Sequence, residues 1–394
     1  MTAQTEHPEA LAPELDERGL LDLPFLLLTV LLVVIGVIML FSASYASAHA
    51  DPDIQKSSYF FVRQGANALL GLAAMYGASL FSYKYYRLLG FFLLAGSIVL
   101  LALVPVIGIE ENGAIRWIRL FGISFQPSEL AKVGVVMSFA TMMSAWRDRM
   151  RSFRYGVAPY LAILLLIALL LYLERHLSAT LIIFMTGGTM MLLGGTDKRW
   201  LIGLAIGAAL LVAVYLLTRG YTGDRIKAWL HPEEFAAKEG YQVMQSRYAI
   251  GSGGLTGLGF GKSRQKYLYL PEEHNDYIFA IVCEELGFIG AGLVVVLFAL
   301  LVMRGYWISM HARDRFGALL SAGLTTLIGL QVLLNIGVVT NLLPSTGISL
   351  PFFSYGGTAL LVNLAEMGII LNVSRQTTNR MVLRRPGKSG GKTR

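Results

Sequence analysis

Apolar windows long enough to cross a bilayer recur along this chain, and they leave few folds open to it. Each is about 20 residues, the length a helix needs to span a hydrocarbon core of roughly 30 Å. They fall at about 24–46, 59–81, 86–108, 128–146, 157–173, 177–195, 199–218, 277–303, 316–340 and 356–374. Composition agrees: 55% of the residues are hydrophobic and only 15% charged, with mean hydropathy +0.59, where a soluble domain carries about 25% charged residues. The expectation is an all-α polytopic integral membrane protein with about ten transmembrane helices and one large extracellular loop.

Lys and Arg in the short loops set the orientation. With a cytoplasmic N-terminus, the inner loops hold Lys84, Arg87, Arg147, Arg149, Arg151, Arg154, Lys198, Arg199, Arg304, Arg313 and Arg315, and the C-terminal tail is also basic. The short outer loops hold Lys56, Arg116, Arg119 and Arg175. Both termini are expected in the cytoplasm, and the membrane is expected to be the plasma membrane. The organisation read from this is a polar tail over 1–22, a transmembrane unit over 23–376 with its outer loop at 219–276, and a basic tail over 377–394; both tails read as disordered. The net charge of +8 then speaks for topology and contact with anionic membrane lipid. No aromatic-basic surface or zinc spacing points to nucleic acid. Cys283, the single cysteine, falls inside a span and excludes an intramolecular disulfide. ASAHA at 46–50 resembles a signal-peptidase site, but the apolar run before it is too long and its flank is acidic, so the first span is expected to stay as an anchor.

The loop over 219–276 is too long to be a plain connector. Trp229, Phe235, Tyr241, Met244, Tyr248, Ile250 and Leu255 are spread through it, which argues for order, with short helices expected at 223–239 and at 242–250, the latter at the membrane interface. GSGGLTGLGFGKS (251–263) invites a phosphate-loop reading that fails: Thr256 stands where the first glycine is needed, and no GxGxxG begins in it. These glycines are better read as permitting close backbone approach.

Three constellations carry chemistry. In GAIRWIRLFGISFQPSELAK (113–132), Pro127 starts a helix with Gln126 or Ser128 as caps, and Glu129 sits near its positive end. Glu129 and Lys132, three apart, share a face; they form either a self-satisfying pair or the wall of a charged cavity with Arg116, Arg119 and Trp117 at its rim. In LPEEHNDYIFAIVCEELG (270–287), Glu272, His274 and Asp276 stand at the mouth of a span with Glu284 and Glu285 further in. Charge in that setting is costly and marks a functional site. Asp276 either caps the helix or, with proton affinity raised by desolvation, serves as a general base. Glu284, Glu285 and Glu366 read more readily as ties between helices. NLLPSTGISLPFFSYGGT (341–358), rich in Pro and Gly and free of charge, reads as a re-entrant or cavity-lining loop.

The blocks FQPSELAK (125–132), YAIGSGGLTGLGFGKSRQKYLYLPEEHNDYIFAIVCEELG (248–287) and LLPSTGISLPFFSYGG (342–357), in this order, resemble the signature blocks of the SEDS family (shape, elongation, division and sporulation), with SRQKYLYLPE nearer its FtsW and SpoVE branch than RodA. The resemblance covers about residues 20–376. Asn275 stands where many members have Thr, and the PSTG loop lacks the Lys that some division proteins carry there. The resemblance implies a peptidoglycan glycosyltransferase that polymerises lipid II at the outer face of the plasma membrane for division, shape or sporulation, beside a class B penicillin-binding protein that crosslinks the strand. The family's essential aspartate matches Asp276, and its charged pair matches Glu129 and Lys132. The chemistry needs one base, Asp276, and either positive charge or a divalent cation (Mg or Mn) for the lipid diphosphate. Lys132 is expected to hold the diphosphate, with Arg116 and Arg119 as weaker candidates, Glu129 orienting Lys132 or helping bind metal, and Glu272 and His274 near the substrate. No nucleotide is needed. A lipid II flippase and a non-catalytic recruiter of division proteins are the alternatives.

Overall fold

A computed structural model describes residues 19–52, 54–82, 85–111, 114–120, 123–207, 229–235 and 240–383. The 1–18 tail, 384–394, and 208–228 and 236–239 lie outside the described residues. With them go the second half of the span expected at 199–218 and most of the helix expected at 223–239; residues 198–207 are helical.

The helices are α1 (Leu23–Ala50), α2 (Tyr59–Leu80), α3 (Tyr86–Ile107), α4 (Pro127–Ala145), the short α5 (Phe153–Gly156), α6 (Ala158–Leu173), α7 (Leu177–Leu193), α8 (Tyr241–Gly253), α9 (Ile278–Met310), α10 (Arg315–Val339) and α11 (Gly357–Leu383). By length and composition, α1, α3, residues 153–173, α9, α10 and the first part of α11 can each cross a membrane. Together with the family identified below, they make this a multi-pass membrane protein. Along α3, buried Gly90, Leu94, Ser97, Leu101 and Val104 repeat at helical spacing, while Leu88, Phe92, Val99, Leu103 and Val106 are exposed. A helix apolar on its outward face as well as its inward one is built for lipid. The most enclosed is α10, whose most apolar window is 83% buried between α9, α4 and α7.

Side-chain bonds show which helix ends share a side. Asp22 caps α1 by accepting from the Phe25 amide at 3.0 Å and pairs with Arg304 at the end of α9 at 2.7 Å. Arg375 on α11 reaches the Gly19 carbonyl and that of Ser79 on α2. Arg87 on α3 pairs with Asp314, the cap of α10, and Arg315 donates to the Gly194 carbonyl behind α7. The start of α1 and the end of α11 therefore lie at one end of the bundle. The residues expected to do chemistry lie at the other.

Three findings depart from the sequence reading. A small antiparallel sheet, β1 (Ile109–Glu111), β2 (Ala114–Leu120) and β3 (Ile123–Phe125) in the order β1-β2-β3, precedes α4; its signal was the turn dipeptide Asn112–Gly113 between β-branched and aromatic residues. Helix α11 runs on to Leu383, past the expected tail boundary at 376/377, because no Gly or Pro interrupts the chain until Pro386. Pro127 does open α4, but neither Gln126 nor Ser128 caps it with its side chain: Gln126 holds the cap position without such a bond, and the Ser128 hydroxyl is buried without a hydrogen-bond partner among the described residues.

Helix α9 breaks at Gly287 (φ 66°, ψ −171°), a conformation open essentially to glycine alone. The broken turn is mended by the glycine stretch. Leu258 and Gly259 amides donate to the Glu284 and Glu285 carbonyls, and the Phe288 and Ile289 amides donate to the Gly254 and Leu255 carbonyls, at 2.9–3.1 Å. At Gly253, a β-carbon would meet the Cys283 carbonyl oxygen at 2.1 Å. The glycines serve close backbone approach, as read from the sequence, and supply the pairing that broken helices need within a membrane.

Candidate active site

Asp276 sits two residues before α9 and is not its cap: the helix starts at Ile278, with Tyr277 at the cap position. Its place is fixed from outside. The Asn335 side-chain amide on α10 donates both to the Asp276 carbonyl at 2.7 Å and to the Ile348 carbonyl at 2.6 Å, joining the 270–277 segment to the PSTG loop. Ser354 donates to the Asn275 carbonyl at 2.7 Å and the Tyr355 amide to the His274 carbonyl at 2.9 Å. The Ser178 hydroxyl at the head of α7 donates to the Thr346 carbonyl. The 341–358 loop is thus tied to the 270–277 segment, to α7 and to α10.

Burial holds the Asp276 carboxyl above its ordinary value of 3.8, at about 6, and the neighbouring Glu272 carboxylate adds to the rise; Arg116 and His274 oppose it. Glu272 accepts from the Asn275 side-chain amide at 2.5 Å, and His274 packs on the Phe60 ring at 4.7 Å and faces Glu273 at 3.5 Å. Glu272, His274, Asp276 and Arg116 are therefore brought together.

Lys132 and Glu129 form an ion pair at 2.8 Å, one turn apart on α4 and almost wholly buried. Glu366 of α11 faces both charges, with its two carboxylate oxygens buried and without a hydrogen-bond partner among the described residues. In sequence Glu366 has no charged neighbour; helix packing supplies two.

Arg116 and Arg119 part company. On a strand, side chains alternate between faces, so three residues apart on β2 sends them to opposite sides. Arg116 reaches the Arg175 carbonyl at 2.8 Å and faces Asp276, Glu174 and His176. Arg119 is exposed.

Residues 23–379 match the family of cell cycle proteins FtsW, RodA and SpoVE. The chain belongs to the FtsW/RodA/SpoVE family. It is 39% identical over 355 residues to the probable peptidoglycan glycosyltransferase FtsW of Geobacter metallireducens, covering 90% of this chain and 94% of that protein. It is 39% identical over 362 residues to stage V sporulation protein E of Bacillus subtilis, covering 90% and 97%. Its fold superposes with TM-score 0.76 and 28% identity on a chain of a peptidoglycan synthase complex that coordinates polymerization and crosslinking, covering 91% and 98%. The crystal structure of the rod shape determining protein RodA of Thermus thermophilus gives TM-score 0.67 at 28% identity, covering 90% and 97%.

Within this FtsW/RodA/SpoVE fold, two residues of the site escaped the sequence reading. The turn between α6 and α7 brings Glu174 and His176, 2% and 7% exposed, against Arg116. Burial pushes the Glu174 carboxyl up to about 8, with Arg116 opposing. Burial, then Arg116 and Lys132, hold His176 down at about 3. Nothing in ERH announces either role, since the contacts come from β2 and α4. Glu284 and Glu285 are ties, as read: Glu284 accepts from the Arg264 and Gln265 amides at 2.9 and 3.3 Å and from the Ser263 hydroxyl, and Glu285 from the Gly261 and Ser263 amides, Ser42 and Lys266. The amides of the glycine stretch thus already hold one carboxylate, that of Glu285, and the two amides that follow the stretch hold Glu284. Among the described residues no three carboxylate, imidazole or thiol groups converge to hold an ion.

Proposed function

We propose that this FtsW/RodA/SpoVE protein is a peptidoglycan glycosyltransferase that polymerises lipid II. The observation that carries the reading is Asp276: a carboxyl shifted to about 6 by burial, held at the mouth of α9 by Asn335 from another helix, with Arg116 beside it and buried Lys132 beyond. Asp276 takes the proton from the acceptor sugar hydroxyl. That oxygen bonds to the anomeric carbon of the donor, and the bond from that carbon to the lipid diphosphate breaks. Lys132 and Arg116 hold the departing diphosphate, and Glu129 orients Lys132. Asp276 then returns its proton to water.

The end of the bundle holding Asp22, Arg304, Arg87 and Arg315 is the basic one, which supports its placement in the cytoplasm and the active site at the outer face of the plasma membrane. A class B penicillin-binding protein is the proposed partner, supported by the likeness to a synthase complex that couples polymerization to crosslinking. Glu366, buried beneath the Lys132–Glu129 pair, favours lipid II transport as the second reading, because charge placed deeper suits a crossing path. Purified protein with its partner and labelled lipid II separates the two. Glycan strands from the native protein and none from Asp276→Asn support polymerisation; lipid movement across vesicles without strands overturns it.

A further inference from the structure

His176 lies in the field of two cations, Arg116 and Lys132. It follows a tight helix end: the His176 amide bonds back to the Leu171 carbonyl and the Arg175 amide to that of Tyr172, with Arg175 at φ +56°. This six-to-one closure fixes the direction in which the side chain leaves the chain. Arg116 is tied to the same turn through the Arg175 carbonyl, and Lys132 faces the ring from α4. The ring is 7% exposed, and its Nδ1 is buried without a hydrogen-bond partner among the described residues. Native proteins leave few such atoms unpaired, and each calls for an explanation.

We propose that His176 is a substrate-contacting residue that donates a hydrogen bond to a phosphate oxygen of the lipid diphosphate seated between Arg116 and Lys132. The inference rests on the function proposed above and adds a third ligand to the leaving group. Two cations repel an ammonium or metal ion and attract an anion, which favours an anionic partner for the ring. A neutral imidazole carries one N–H and can give it to a phosphate oxygen. Once the anion offsets the two cations, the ring gains proton affinity and the bond becomes charge-assisted. Glu174 lines the same turn, and its carboxyl, held protonated by burial near neutral pH, adds little repulsion there.

The test is binding of a polyprenyl diphosphate to the full-length protein in lipid nanodiscs, with polyprenyl monophosphate and inorganic diphosphate as parallel arms. His176→Ala is expected to weaken the polyprenyl diphosphate about tenfold and to raise KM for lipid II more than it lowers kcat. His176→Asn, which keeps an N–H donor, should restore most of the affinity. Tight binding of inorganic diphosphate alone would identify a free anion, not the lipid, as the ligand and overturn the proposal. Native affinity in His176→Ala would overturn it while leaving the polymerase reading intact, since that reading is judged by strand formation and Asp276→Asn. Histidine-selective NMR of the unsubstituted protein gives a measure independent of variant folding: the His176 ring signals should move on adding the polyprenyl diphosphate, and unchanged signals at saturation would also overturn it.

Discussion

A methyl group on Gly347 would stand 3.1 Å from Oδ2 of Asp276. The glycine of the PSTG loop therefore makes room for the proposed base, and its φ of +66° is one that an L side chain adopts only with strain of about 1–2 kcal/mol. Gly347→Ala is expected to cut polymerisation at least tenfold with normal membrane levels. Gly356→Ala, where the new carbon meets only Ala359 at 3.6 Å, should be near native. Strand synthesis by the two purified variants decides the matter, and equal activity would remove the loop from the site.

Asp276→Asn should lower polymerisation by about 10²–10⁴, the usual loss on removing a general base, while folding and partner binding persist. The native rate should also depend on pH with a defined sign. Asp276 works only when ionised, and its carboxyl is raised to about 6, so the rate should climb as pH passes upward through about 6 and then level off. A rate flat between pH 5 and 8 would tell against this base.

Lys132→Met removes the only cation bonded to Glu129 among the described residues and leaves Glu129 and Glu366 facing each other. Breaking a buried pair costs about 3–5 kcal/mol, so both activity and thermal stability should fall sharply. Glu366→Gln keeps the shape, leaves the Lys132–Glu129 pair at 2.8 Å, and should reduce activity less. Equal and severe losses in both, measured at matched membrane levels, would favour a charge path and hence transport.

Lys266 is 2% exposed and donates to the Gly261 carbonyl, Ser42 and Glu285 at 2.8–3.1 Å. Lys266→Met should leave the Glu285 carboxylate underpaired and lower the unfolding temperature, whereas the exposed Lys262→Met should not. A thermal melt in detergent reads this directly. An unchanged melt for Lys266→Met would mean that the glycine stretch is held by its backbone bonds alone.

The sequence by itself determined the membrane class, nine of the ten expected spans as helices and the start of the next, the helix now seen as α8, and the family, because each follows from local period, length or a contiguous block of residues. It also singled out Asp276, Glu129 and Lys132, since a charge at the edge of an apolar run is visible without a fold. Only the tertiary structure decided that Asp276 is positioned by Asn335 and not used as a cap, that Arg116 turns toward Asp276, Glu174 and His176 while Arg119 is exposed, and that Glu174, His176 and Glu366 lie near these groups. Those outcomes depend on the alternation of a strand and on which helices pack together. Residues from β2, α4, the turn after α6, α10 and α11 are far apart in the chain, and their charges interact only because burial between the helices lowers the dielectric around them.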